Sequence, residues 1–180
     1  MIRKTVFALS LAALLGAASA QTASAIVRDA DGAVIGAAYL EAVEGGTRMT
    51  VVLDGLTPGA HGMHVHEVGS CEPTVNAEGQ TVPFGGAGSH FDPHAAGSHR
   101  GPDAHVHEGH AGDMPNLVAD DAGRAVISFV TSRISLLDDE LGVLGRALVI
   151  HANADNYTDE PALGGSGGRV ACGVIAARSL

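Results

Sequence analysis

The chain has 180 residues, a formal charge of −10 and only 3% aromatic residues, with no tryptophan. That length suits one domain with an aliphatic core. The acidic surplus excludes nucleic acid and anionic membrane surfaces as partners.

In chain order, Arg3 and Lys4, the apolar run from Val6 to Leu15, and Ala18-Ser19-Ala20 read as a secretory signal over residues 1–20, cut before Gln21. The run is too short to span a bilayer, so no membrane association is expected after its removal. Ala23-Ser24-Ala25 is a weaker second cut. Losing Arg3 and Lys4 takes the charge from −10 to −12 and leaves residues 21–180 without lysine. Short β-branched and apolar runs follow at 24–29, 33–43, 47–53, 61–67, near 117–120, and at 124–130, 146–151 and 169–176. Asp31-Gly32, Gly45-Gly46, Pro58-Gly59 and Asp121 to Gly123 are the turn signals between them. No helical period survives over a long window. The expected fold is all-β: an eight-stranded antiparallel Greek-key sandwich or flattened barrel. Residues 70–116, rich in Gly, His and Pro, and residues 152–168, rich in Asn, Asp and Gly, form two long loops. Unstructured loops of such length suggest function.

Export implies an oxidising compartment. With two cysteines, Cys71 and Cys172, only one intrachain pairing exists. Its closure of roughly a hundred residues would stabilise by about 4–5 kcal/mol in the chain-entropy model. Two unpaired buried thiols are the alternative.

The chemistry lies in the histidines. His64-Val65-His66 on a strand projects two imidazoles to one face, with Met63 and Val65 turned to the core. His151 ends the buried-strand run Ala147-Leu148-Val149-Ile150, where a structural histidine is the simpler reading. The first loop supplies His90, His99, His110 and Asp113. Three imidazoles and a carboxylate fit a closed tetrahedral zinc site, and four imidazoles suit divalent copper. His90 can serve both, because imidazole carries nitrogens on opposite sides of its ring. A solvated His-rich loop that binds metal loosely is the competing reading.

The segments HGMHVHEVGSCEP, GGAGSHFDPHAAGSHRGP, GHAGDMPNL, GRALVIHANADNYTDEP and GGRVACGVI occur in one order. Through them the chain resembles copper/zinc superoxide dismutase of the bacterial exported type, over residues 24–177. The resemblance implies one copper per chain on His64, His66, His90 and His151, and one zinc per chain on His90, His99, His110 and Asp113. It implies a catalytic Arg169 that guides and holds superoxide, and an Asp155 carboxylate that links His64 to His99. It pairs Cys71 with Cys172, and places His61 beneath the copper site without making it a ligand. The implied activity is dismutation of superoxide to O₂ and H₂O₂ as copper alternates between Cu²⁺ and Cu⁺, with His90 leaving copper and taking up a proton. The implied location is the periplasm.

Three features depart from the family. His94, His105 and His107 are additional, and AHVHEGH repeats the His-x-His-Glu pattern of the copper strand. Solvated loop residues are the simpler reading of them, and an auxiliary metal-capture site is the alternative. The loop lacks an aromatic residue often found in bacterial relatives, which leaves a homodimer open. The second loop has no lysine, so steering would fall on Arg169, with Arg100 as helper. Two other functions compete. One is a metal-buffering or copper-delivery protein on the same fold, against which Arg169 argues. The other is a zinc hydrolase, for which Glu67 and Glu108 are the only nearby bases and neither sits in a hydrolase motif.

Overall fold

The computed structural model describes residues 21–137 and 139–178; the expected signal at 1–20 lies outside them. The strands are β1 (Thr22–Asp29), β2 (Val34–Val43), β3 (Gly46–Leu53), β4 (Gly59–His61) and β5 (Met63–His66). Within the first long loop come β6 (Thr74–Val75) and β7 (Thr81–Val82). They are followed by β8 (Leu117–Ala119), β9 (Ala125–Thr131), β10 (Ala147–His151), β11 (Arg169–Val174) and β12 (Ala176–Ala177). No helix among the described residues is long and apolar enough to cross a membrane.

Ten strands make one sheet in the order β4-β8-β9-β3-β2-β1-β11-β10-β5, with β12 on β1. All its pairings are antiparallel. The chain leaves β3 for the far margin although β9 lies beside it, which is the crossover of a Greek key. β4 and β5 are consecutive halves of one segment, yet they occupy the two ends of the order. The sheet therefore curls until its margins meet in residues 59–66, and a nearly closed barrel results.

The expected eight strands correspond to these ten, because two of them are interrupted. Gly62 breaks residues 61–67. Its N–H donates to Asn153 O at 2.7 Å and its carbonyl accepts from His151 N–H at 2.9 Å, so it is paired to the end of β10 and the start of the second long loop rather than to β8. A Cβ there would lie 2.8 Å from Ser166 Cβ, so the crossing needs glycine. Ile175 breaks residues 169–176 by exchanging backbone bonds with Gly145 and Arg146.

The core follows the alternation of the strands. Thr47, Met49, Val51 and Leu53 of β3 point inward, between Arg48, Thr50 and Val52. Leu40, Met63, Val65, Leu117, Leu148, Ile150 and Ile175 join the same cluster. β10 is buried on both faces, which explains its continuous apolar run. Leu148 and Ile150 face the main core, while Ala147 and Val149 pack with Phe84, Ala87 and Cys172 in a second cluster. That cluster lies under the first long loop, and the Cys71–Cys172 disulfide fastens the loop to β11. Both cysteines are paired.

We expect Cys71→Ser to lower unfolding stability by about 2–5 kcal/mol. Denaturant titration of the variant beside the parent protein measures this. An unchanged midpoint would remove the bridge from the stability account.

Candidate metal centre

β5 delivers His64 and His66 to the face opposite Met63 and Val65, and all four are buried. The imidazoles are hidden because residues 89–113 fold back over them. His90 bridges to His66 and Asp113 to His64 as isolated antiparallel pairs. Val65 N–H donates to Gly112 O and Phe91 N–H to Val65 O, both at 2.9 Å. β10 brings His151 to the same place. A register shift between Ile150 and His151 sets His151 opposite Arg169, a bulge of the kind that re-aims side chains beside functional sites.

The structure thus gathers the expected ligands. Donor atoms of His64, His66, His90 and His151 lie within 4.8 Å of one another, and so do those of His64, His90, His99 and Asp113. The second group differs from expectation in holding His64 rather than His110. The His64 and His90 rings stack at 3.9 Å, which brings His64 near both groups. His110 still adjoins the second group, with Nδ1 3.5 Å from Asp113 Oδ1.

Hydrogen bonds leave one nitrogen of most of these rings without a partner. His64 Nε2 meets Asp155 Oδ2 at 2.7 Å, His66 Nδ1 meets Gly88 O at 3.0 Å, and His151 Nδ1 meets Gly167 O at 3.0 Å. His99 Nε2 reaches both Asp155 oxygens at 2.8 Å, and His90 Nδ1 reaches Asp113 Oδ1 at 3.0 Å. Left over are His64 Nδ1, His66 Nε2, His90 Nε2 and His151 Nε2, buried with no hydrogen-bond partner, while buried His99 Nδ1 and His110 Nδ1 face only the Asp113 carboxylate, at 3.0 and 3.5 Å. A buried polar atom left unpaired costs about 1–3 kcal/mol. Six ring nitrogens in one pocket fit metal ions, each held by rings whose other nitrogen is fixed from behind.

Electrostatics agree with that use. Burial pushes His64 down to about 3 against its hydrogen bond to Asp155, and pushes His151 down to about 4 against its bond to Gly167. Burial also lowers His66 and His90. These rings are therefore neutral, the form that ligates. For His99 burial is outweighed by Asp113 and Asp155, which raise it to about 9. Asp113 and Asp155 are held below the usual carboxylate range: burial opposes this, but His110, His90 and His99 prevail at the first, and His64 and His99 at the second.

The remaining expected residues fall as follows. His61 lies outside the cluster, with Nδ1 2.7 Å from His151 O and Nε2 2.8 Å from Thr57 O. Arg169 donates to Phe84 O and Gly88 O, both at 2.6 Å. Arg100 pairs with Asp159 at 3.5 Å. Glu67 and Glu108 join neither group; their carboxylates accept from Ser89 N–H and His105 N–H.

Three positioning residues escaped the sequence analysis. Asn116 clamps Asp155 by accepting its N–H at 2.9 Å and donating to its carbonyl at 2.8 Å. The Tyr157 hydroxyl accepts Asn116 N–H at 2.7 Å. Buried Arg133 donates to the carbonyls of Ala104, Gly109 and His110. Asn116 and Tyr157 fall inside quoted family segments, which was their only signal. Arg133 had none.

The family model for copper/zinc superoxide dismutase (SODC) matches residues 34–175. The chain belongs to that family. It is 45% identical to "Superoxide dismutase [Cu-Zn]" of Deinococcus radiodurans over 87% of this chain and 85% of that protein. It is 40% identical to "Superoxide dismutase [Cu-Zn] 2" of Salmonella typhimurium over 93% of this chain and 96% of that protein. The solved Cu/Zn superoxide dismutase from Brucella abortus aligns with a TM-score of 0.76 at 35% identity, covering 85% of this chain and 98% of that one. As a member of the copper/zinc superoxide dismutase family, the protein is an oxidoreductase that dismutes superoxide and uses copper and zinc. The metal-buffer and hydrolase readings give way to this one.

The lowered histidines give the metal-free protein a defined pH response. The unfolded chain binds protons near 6.5, whereas folded His64 and His151 resist until about 3 and 4. Their stabilisation is full above 6.5 and lost as pH falls through that window. His99 acts oppositely, contributing below 6.5 and losing its contribution as pH rises through about 9. We expect the melting temperature of metal-free protein to drop steadily from pH 6.5 to 4, read by calorimetry. A flat profile over that range would contradict the burial argument.

Proposed function

We propose that His64, His66, His90 and His151 hold copper, that His90, His99, His110 and Asp113 hold zinc, and that Arg169 receives the superoxide anion. The observation that carries this is the convergence of six buried ring nitrogens, four without a partner and two facing only Asp113. His64 has a single free nitrogen, because Asp155 takes the other. It can serve one ion only, and His66 and His151 place it with copper. His99 and His110 then offer Nδ1 to zinc, beside Asp113. His90 has Nε2 free and Nδ1 turned to Asp113, so it faces both groups.

Copper, when bound, supplies one-electron redox chemistry, and zinc supplies fixed positive charge. The chain's own residues do the rest. Asp155 fixes one ring of each group and thereby their spacing. Arg169 makes its hydrogen bonds to carbonyl oxygens, so no carboxylate cancels its charge. In a body of net charge −10 it offers an anion a local positive field beside His151. Nε2 of His90 is the atom that takes and returns a proton between half-reactions. The signal read at residues 1–20 and the disulfide support export to an oxidising compartment, the bacterial periplasm.

Metal analysis is expected to give one copper and one zinc per chain. The copper EPR spectrum of the parent protein is expected to change on zinc removal, and His90→Ala is expected to abolish that coupling. An identical spectrum with and without zinc would mean the ions share no ligand.

Arg169→Ile is expected to keep both metals and lose about tenfold in rate, with Arg169→Glu slower still. Steering of this kind changes rates by roughly 10- to 1,000-fold and weakens with salt. Parent activity should therefore fall as ionic strength rises, and the variants should lose that dependence. Turnover by fully metallated Arg169→Glu equal to the parent's would sink the assignment.

A further inference from the structure

Outside the six-histidine centre, a second group of imidazoles lies on the outer surface of the first long loop. The His94 and His107 rings lie 3.9 Å apart, and the His105 and His107 rings 5.2 Å apart. Ring pairs inside the proposed copper and zinc groups span 3.9 to 6.3 Å, so each of these two neighbouring pairs has the spacing of rings that share an ion, while the three outer donors are gathered less tightly than the inner ones and His105 and His107 must turn to close on a cation. His94 comes from the stretch after His90, and His105 and His107 from the turn before His110. Their meeting therefore results from the loop's fold rather than from simple neighbourhood in sequence.

One nitrogen of two of these rings is held, as in the inner centre. His94 Nδ1 lies 3.2 Å from Glu140 Oε1, across from a different loop. His105 Nδ1 accepts the N–H of His107 at 3.4 Å. Each keeps Nε2 for a ligand. Glu108 and Asp103 are exposed within the same turn, and Glu140 is exposed beside it, so the surroundings are acidic. The turn also has a rigid base. Glu108 N–H closes it onto His105 O at 2.9 Å, and Arg133, buried beneath, donates to carbonyls at both its ends. A loop of solvated histidines needs no carboxylate brought in from another loop to face His94.

We infer that His94, His105 and His107, with Glu140 behind His94, form a third, exposed site for a borderline divalent cation such as zinc. Imidazoles with a carboxylate suit zinc, copper and nickel rather than magnesium or calcium. With His105 and His107 exposed, His94 half-buried and only three rings to hold the ion, the site binds more weakly and exchanges faster than the buried centre. Its place along the strap that carries His90, His99 and His110 makes it a point of metal capture at the mouth of the zinc loop.

The test uses holoprotein already loaded with copper and zinc. Isotopically enriched zinc is added alone, and binding is followed by calorimetry, with mass-spectrometric metal counts after gel filtration. The result expected is one further equivalent of enriched zinc with micromolar affinity, weakened at least about tenfold in H94Q/H107Q, a loss of about 1.4 kcal/mol. The resident copper and zinc are expected to stay in place. Absence of a further equivalent, or equal binding by the double variant, overturns the site. Should the double variant lose resident zinc, His94→Gln and Glu140→Gln, both outside the turn that carries His110, give the same reading. Undiminished binding in both single variants likewise overturns it. None of these readouts depends on dismutation.

Discussion

Four buried imidazole nitrogens without a partner, and two more turned to the single carboxylate of Asp113, are the condition around which this structure is arranged. At about 1–3 kcal/mol for each unpaired polar atom, the four take up a large share of the net stability of a domain. A barrel of aliphatic side chains can carry that cost only if it is large and well closed, and only until metal arrives. The long loop explains itself in the same way. It has little hydrophobic content to hold it down, and three attachments do the work instead: the disulfide to β11, the small cluster around Phe84 and Val149, and the strand-like pairing of Val65 with Phe91 and Gly112.

Asp155 joins the two loops. It stands in the second loop, receives Tyr157 N–H at 2.7 Å, and reaches a ring of each metal group. Gly164, at a φ of 68°, passes so close that a Cβ would fall 1.8 Å from Asp155 Oδ1 and 2.8 Å from His99 Nε2. The second loop is therefore shaped to the carboxylate as closely as the carboxylate is shaped to the rings. The copper side has its own chain of contacts. Gly88 O accepts from both His66 and Arg169, so the residue that orients a ligand also orients the anion guide, and Cys172 holds that loop three residues along the same strand.

Much of this was legible in the sequence because it is local. His64 and His66 share a face by the strand period, turn residues mark the strand ends, and the motif order carries the family. What could not be read depends on long-range backbone bonds. Arg133 spends its guanidinium on carbonyls 23 to 29 residues away, and nothing in TSRIS announces that. Asn116 looks like any loop asparagine until Asp155 folds against it. The segment 61–67 reads as one strand, and only the closed barrel reveals that Gly62 divides it. The outer histidines gave a repeated motif, but its meeting with His94 and Glu140 required the loop's path.

The division of residues 59–66 between both margins of the sheet has a consequence for assembly. β5 pairs with β10, more than eighty residues away, and β4 with β8, more than fifty away. Contacts of such separation, like those of β1–β11, which pairs Arg28 with Cys172, carry a loop-closure cost that is met only when they form. The copper group draws His64 and His66 from β5, so it cannot exist before the seam between β5 and β10 shuts. Until then both margins are bare strand edges open to other chains. A chain with that seam open shows its strand edges and cannot hold copper.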